Sequence, residues 1–177
     1  DAHHAWPRWG EYDILESIHN RTYAATTLHT RADCAQKDVN LNEEFKGQGW
    51  VPGSWGNKAK DCYVKAPGEY SNQGCGQKQP DGSWGRALNQ AGGATWAAEW
   101  DPDNKYIRTW FFPRGKVPRD LLERRPVPAS WGIPTSFFSL QPNDCSANHF
   151  ERMRMVFDIT FCGDWGGPTF GAHCPGI

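Results

Sequence analysis

The sequence predicts an all-β fold, an antiparallel β-sandwich built from one domain over residues 1–177. Composition is the first observation: ten Trp within 14% aromatic content, with 19 Gly and 13 Pro. That balance favours short strands separated by many turns. The second is period-two alternation of apolar and polar residues in several windows, the mark of half-buried strands. The third is the density of Gly, Pro, Asn and Asp clusters between those windows. At 177 residues the chain is long enough to bury a real core.

Residues 10–18 read as the first strand, carrying Gly10-Glu11-Tyr12-Asp13-Ile14-Leu15-Glu16. Strand side chains alternate, so Glu11 and Asp13 share one face while Tyr12 and Ile14 share the other. Strict alternation would turn Glu16 into the apolar side. One extra residue near Ile14-Leu15, a β-bulge, returns it to the two other acids. Residues 23–31 read as a second strand. From 33 to 91 the chain looks like loop, with turn signals at Gly47-Gln48-Gly49, Pro52-Gly53-Ser54, Gly74-Cys75-Gly76 and Pro80-Asp81-Gly82. A stretch this long is functional or pinned, here by Cys34, Cys62 and Cys75. Residues 95–100 alternate, placing Trp96, Ala98 and Trp100 on one face. Residues 101–104 form a turn and 105–112 return as the hairpin partner. One helical turn fits 118–124, before Pro126. Residues 152–161 alternate cleanly, predicting a strand with Met153, Met155, Phe157, Ile159 and Phe161 inward.

Charge and cysteines narrow the function. The formal charge is −1, from 19 basic and 20 acidic residues. No basic stripe appears, which argues against nucleic acid as a partner. No apolar run approaches the ~20 residues needed to cross a bilayer. A monomer is expected, with no cofactor. The six cysteines, at 34, 62, 75, 145, 162 and 174, include no Cys-x-x-Cys pair. A metal site is therefore not expected, whereas disulfides formed in an oxidising, extracellular compartment are. All 15 pairings of six cysteines stay open. Asn20-Arg21-Thr22 is a glycosylation triplet consistent with secretion. The first residue is Asp1, which predicts a removed leader or an incomplete segment. His3-His4 reads as a solvated end, and His149, Asp164 and His173 as loop or capping groups.

Three like charges along one strand face repel, and stability alone does not favour them. Two carboxyl groups flanking a sugar bond are the machinery of glycoside hydrolysis. Gly-Glu-x-Asp-x-x-Glu, preceded by Trp6-Pro7, resembles the active-site signature of glycoside hydrolase family 16 in its bulged, laminarinase-like form. Thr27-Leu28-His29-Thr30, Glu99-Trp100, the run from Ile107 to Arg114, Ser130-Trp131-Gly132-Ile133-Pro134, Asn148-His149-Phe150 and the run from Val156 to Trp165 resemble further segments of its fungal endo-β-1,3(4)-glucanases, in order. The likeness runs from residue 6 to 175.

The resemblance implies a jelly roll of the concanavalin A-like lectin and glucanase type. It also implies a retaining endo-glycosidase acting on β-1,3 or mixed β-1,3/1,4-glucan. Glu11 would be the nucleophile and Glu16 the acid and then base. Asp13, between them, would hydrogen-bond Glu11 and help keep Glu16 protonated. His29 would line the cleft from the neighbouring strand; Trp165 and Trp6 would meet sugar rings. Family domains have roughly 250 residues, a usual size for single-domain β-sandwiches. The catalytic strand begins here near residue 10, so strands at the N-terminal side are expected to be missing, with apolar faces left open. Ser17, His19 and Tyr12 depart from the family pattern. Two other readings stay open: a non-catalytic glucan-binding module, and a glucan transglycosylase.

Overall fold

The computed structural model describes residues 5–161 and 163–173. Its strands form two three-stranded antiparallel sheets. The first joins β1 (Glu11–Glu16), β2 (Ala25–His29) and β3 (Cys75–Lys78) in that order. The second joins β4 (Ala94–Asp101), β5 (Tyr106–Pro113) and β6 (Ser136–Ser139). Short helices α1 (Gly85–Gln90), α2 (Arg119–Leu122) and α3 (Gly166–His173) lie between and after them. The all-β expectation holds. β4 and β5 pair as the expected hairpin, and α2 falls where one helical turn was predicted.

The core lies between the sheets and under the long 33–91 segment. Leu28 of β2 packs with Phe45, Trp50, Ile107, Phe138, Leu140 and Phe150. Tyr12, on the apolar side of β1, hydrogen-bonds Thr109 Oγ1 of β5, and burial pushes its phenol pKa up. Buried glutamines tie the sheets together. The Gln77 amide donates to Phe137 O at 2.7 Å and accepts from Phe137 N–H at 2.8 Å. Gln36 makes the same double contact with Ser139, at 3.0 and 2.8 Å. Side-chain amides thus stand in for a missing neighbour along the edge of β6, whose backbone groups need partners once buried.

Two disulfides fix the long segment: Cys34–Cys145 spans 111 residues and Cys62–Cys75 spans 13. Cys162 and Cys174, like His3-His4, lie outside the described residues. Three expectations need correction. Gly74-Cys75-Gly76 is not a turn, because Cys75 and Gly76 open β3 and pair with Leu28 and Thr27. Residues 83–91 are not all loop, because α1 forms there. Residues 152–161 form no strand: Met155, Phe157, Ile159 and Phe161 are 78%, 93%, 90% and 100% exposed. Alternation supplies the apolar face, but a strand also needs a neighbouring backbone for its hydrogen bonds. No described strand lies alongside this stretch. Met153 alone of that row packs partly against the core.

Candidate active site

The pairing of β1 with β2 settles where the acids point. Glu11 pairs with His29 and Asp13 with Thr27, but the next partner of Ala25 is Glu16. Two steps on β2 are matched by three on β1, so one extra residue is accommodated between Asp13 and Glu16. Glu11, Asp13 and Glu16 therefore share a face with Thr27 and His29, while Tyr12 faces the core. Gly10, with φ +71°, enters this strand against Phe150; a Cβ there would lie 2.6 Å from the Phe150 ring.

The acids occupy distinct surroundings. Trp6 Nε1 donates to Glu11 Oε2 at 2.7 Å, and its ring centroid lies 6.0 Å from that of His29. Asp13 Oδ2 meets His29 Nε2 at 3.0 Å. Burial disfavours the His29 cation, but the Asp13 hydrogen bond and charge, with Glu11 and Glu16, outweigh it and lift its pKa above the ordinary value. Glu16 can be reached by solvent at the end of β1. Even so, loss of water around its carboxyl is the first cause raising its pKa to about 7, and the Asp13 charge is the second. Glu11 adds to the rise, while His29 and Arg21 oppose it. A carboxyl poised there can give a proton near neutral pH and take one back when a neighbouring negative charge disappears.

Trp165 sits one contact further out. Its ring lies 4.9 Å from the Arg21 guanidinium, the same cation that acts on Glu16. Trp6 and His29 thus touch Glu11 and Asp13 directly, whereas Trp165 is linked to the acids only through Arg21. Sequence reasoning missed Arg21, which looked like part of a glycosylation triplet, and Gly74, which looked like a turn. Gly74 has φ +63° and lies flat behind His29; a Cβ there would stand 2.8 Å from His29 Nδ1. That buried nitrogen has no hydrogen-bond partner among the described residues.

Glu11, Asp13 and His29 offer ligand atoms within 4.8 Å of one another and could gather around a cation. The Asp13–His29 ion pair and the Trp6–Glu11 hydrogen bond explain the same closeness without one. Cys34 and Cys145, near His149, are committed to their disulfide. His149 is a buried structural group, its ring nitrogens 2.9 Å from Ser146 O and 2.8 Å from Ala32 O.

Residues 1–176 match the model of the XgeA-like catalytic domain of glycoside hydrolase family 16. The chain belongs to that family. An endo-1,3(4)-beta-glucanase of Arthroderma benhamiae is 34% identical over 164 residues, 91% of this chain and 33% of its own length. Laminarinase 16A of Phanerochaete chrysosporium, solved with β-glucans in donor and acceptor sites, superposes with a TM-score of 0.78 at 34% identity. That match covers 97% of this chain and 55% of the laminarinase. An elongating family 16 β-1,3-glucosyltransferase superposes at 0.77 with 28% identity, covering 96% of this chain and 51% of that one. This family 16 chain thus spans about a third of the length of the glucanase and about half of the solved structures. Its fold is the antiparallel jelly roll of those neighbours, although the expected strand at 152–161 is not formed.

Proposed function

We propose that this chain is a secreted retaining endo-glucanase cleaving β-1,3 or mixed β-1,3/1,4-glucan. The observation that carries the reading is the bulge, which sets three acids on one face with Glu16 at a pKa of about 7. Glu11 attacks the anomeric carbon as Glu16 protonates the departing oxygen, giving a covalent glycosyl ester. The ester has no charge, so one source of the raised Glu16 pKa disappears and Glu16 becomes a better base for the incoming water. Asp13 holds Glu16 protonated before attack and anchors His29. Trp6 orients Glu11 and borders the cleft, while Trp165 offers its ring to a sugar. Two disulfides, one spanning 111 residues, support an extracellular location.

Incubation with laminarin and with mixed-linkage glucan tests the reading. Release of reducing ends is expected, and Glu11→Gln or Glu16→Gln should each lower it at least about 100-fold. A folded sample that releases none, or a variant with unchanged turnover, contradicts the assignment. Transglycosylation remains a second outcome, since one of the solved neighbours is a glucosyltransferase. Longer products with an added acceptor oligosaccharide would identify it.

A further inference from the structure

The sheet that bears the acids does not stop at β3. Residue 50 bridges to Gln77 and Val51 N–H donates to Gly76 O at 2.8 Å, which adds a short extended segment beyond β3. Pro52 and Lys58 bridge in turn, closing a small hairpin. On the acid face this extension is smooth. Thr27 is followed by Gly76, and Val51 covers the place where a Gly76 side chain would stand, 2.9 Å from its Cβ position. Strands lie ~4.8 Å apart, so β1 and the segment at Val51 are separated by about 15 Å.

The tip of the hairpin is Trp55, which is 94% exposed and has φ +58°. A bulky aromatic residue is uncommon in the left-handed region, which is sterically costly for it. Its ring also forgoes nearly all burial. The tip is nevertheless held firmly, with Gly53 N–H donating to Asn57 O at 2.6 Å. Beside it runs the turn at 68–73, where Tyr70 is 63% exposed. Gln73 clamps the two together: its amide donates to Pro52 O at 2.7 Å and accepts from Tyr70 N–H at 3.0 Å. The next residue is Gly74, packed behind His29 in the acid site. The stretch 70–74 therefore runs from the exposed Tyr70, through the Gln73 contact with Pro52 at the base of the Trp55 hairpin, to the glycine behind His29.

We propose that Trp55 and Tyr70 form a distal sugar-binding shelf, which holds glucosyl units of a long β-glucan several residues away from the bond being cleaved. The inference rests on the glucanase reading for the identity of its ligand. Flat, amphipathic aromatic rings suit the apolar faces of glucose units and need no deep pocket. Only a chain long enough to cross β2 and β3 reaches both the acids and the shelf. The shelf thus makes affinity depend on chain length, since the second contact adds to the first.

Calorimetry with β-1,3-linked glucose tri- and heptasaccharides, in a Glu11→Gln background that prevents turnover, tests this. The heptasaccharide is expected to bind about tenfold more tightly than the trisaccharide, and Trp55→Ala/Tyr70→Ala to remove most of that gain. Trp55→Phe should keep part of it. Both rings are exposed, so the melting temperature of the double variant reports whether the fold is intact. A length gain that survives in the folded double variant, or trisaccharide binding with no gain at all, overturns the shelf alone. A gain that depends on the shelf, in a chain that cleaves no glucan, overturns the hydrolase reading alone. Failure to bind either sugar overturns both.

Discussion

Glu16 is the acid on the β1 face whose pKa burial raises to about 7. Its pKa of about 7 results from lost hydration and the Asp13 charge, opposed by His29 and Arg21. On the proposed glucanase reading Glu16 is the acid that must be protonated, and it should then set the alkaline limb of kcat/KM near pH 7. Asp13→Asn removes a raising charge and should move that limb to lower pH; Arg21→Gln removes a lowering one and should move it higher. A pH profile of each variant checks both directions, and movement of both limbs the same way contradicts the electrostatic assignment. The facing of Glu16 was legible in the sequence because a strand has a period of two, so a carboxylate out of phase demands a bulge. The influence of Arg21 was not. A cation acting from a loop onto a strand end leaves no periodic trace, and its stacking on Trp165 joins residues 144 positions apart in sequence.

At the scale of elements, β3 shows how tertiary pairing overrides local signals. Gly-Cys-Gly suggests a turn by propensity, yet Cys75 and Gly76 pair with β2 and the Cys62–Cys75 disulfide holds them there. The glycines serve the site by lacking side chains. Gly74→Ala must place a Cβ 2.8 Å from His29 Nδ1 on backbone at φ +63°. The left-handed strain alone costs about 1–2 kcal/mol. The variant should melt lower and lose activity through a displaced His29; thermal melts paired with turnover measure both, and an unchanged rate would separate Gly74 from the site. The β4–β5 hairpin was legible because alternation and an Asp-Pro-Asp-Asn turn agree. At 152–161 alternation predicted a strand that does not form, because periodicity reports an apolar face and says nothing about whether a backbone partner lies beside it.

Over the whole molecule, the same carboxyl shifts govern stability. Glu69 has one buried carboxylate oxygen without a hydrogen-bond partner among the described residues, and burial, with the Asp61 charge, raises its pKa from 4.5 to about 7. Between those pH values the folded chain binds a proton that the unfolded chain releases, so stability falls as pH rises through this window. Glu16 acts in the same sense, and His29, whose pKa is raised, loses its contribution as pH climbs past its folded value. The melting temperature should therefore be higher near pH 5 than near pH 8. Glu69→Gln should flatten the curve by about 1–2 kcal/mol after allowance for solvent screening; an equally steep curve in that variant would assign the dependence elsewhere. The fold class and the acid face were readable from the sequence because both are repetitive patterns, whereas disulfide partners and the aromatic shelf depend on how distant loops meet. The most direct test of sugar-bond cleavage by these acids is to trap the intermediate with a 2-deoxy-2-fluoro-glucoside carrying a good leaving group, and to locate the adduct by mass spectrometry. A glycosyl ester on the peptide containing Glu11, absent in Glu11→Gln, is expected. An adduct on another residue, or none while the chain hydrolyses glucan with inversion at the anomeric carbon, would contradict it.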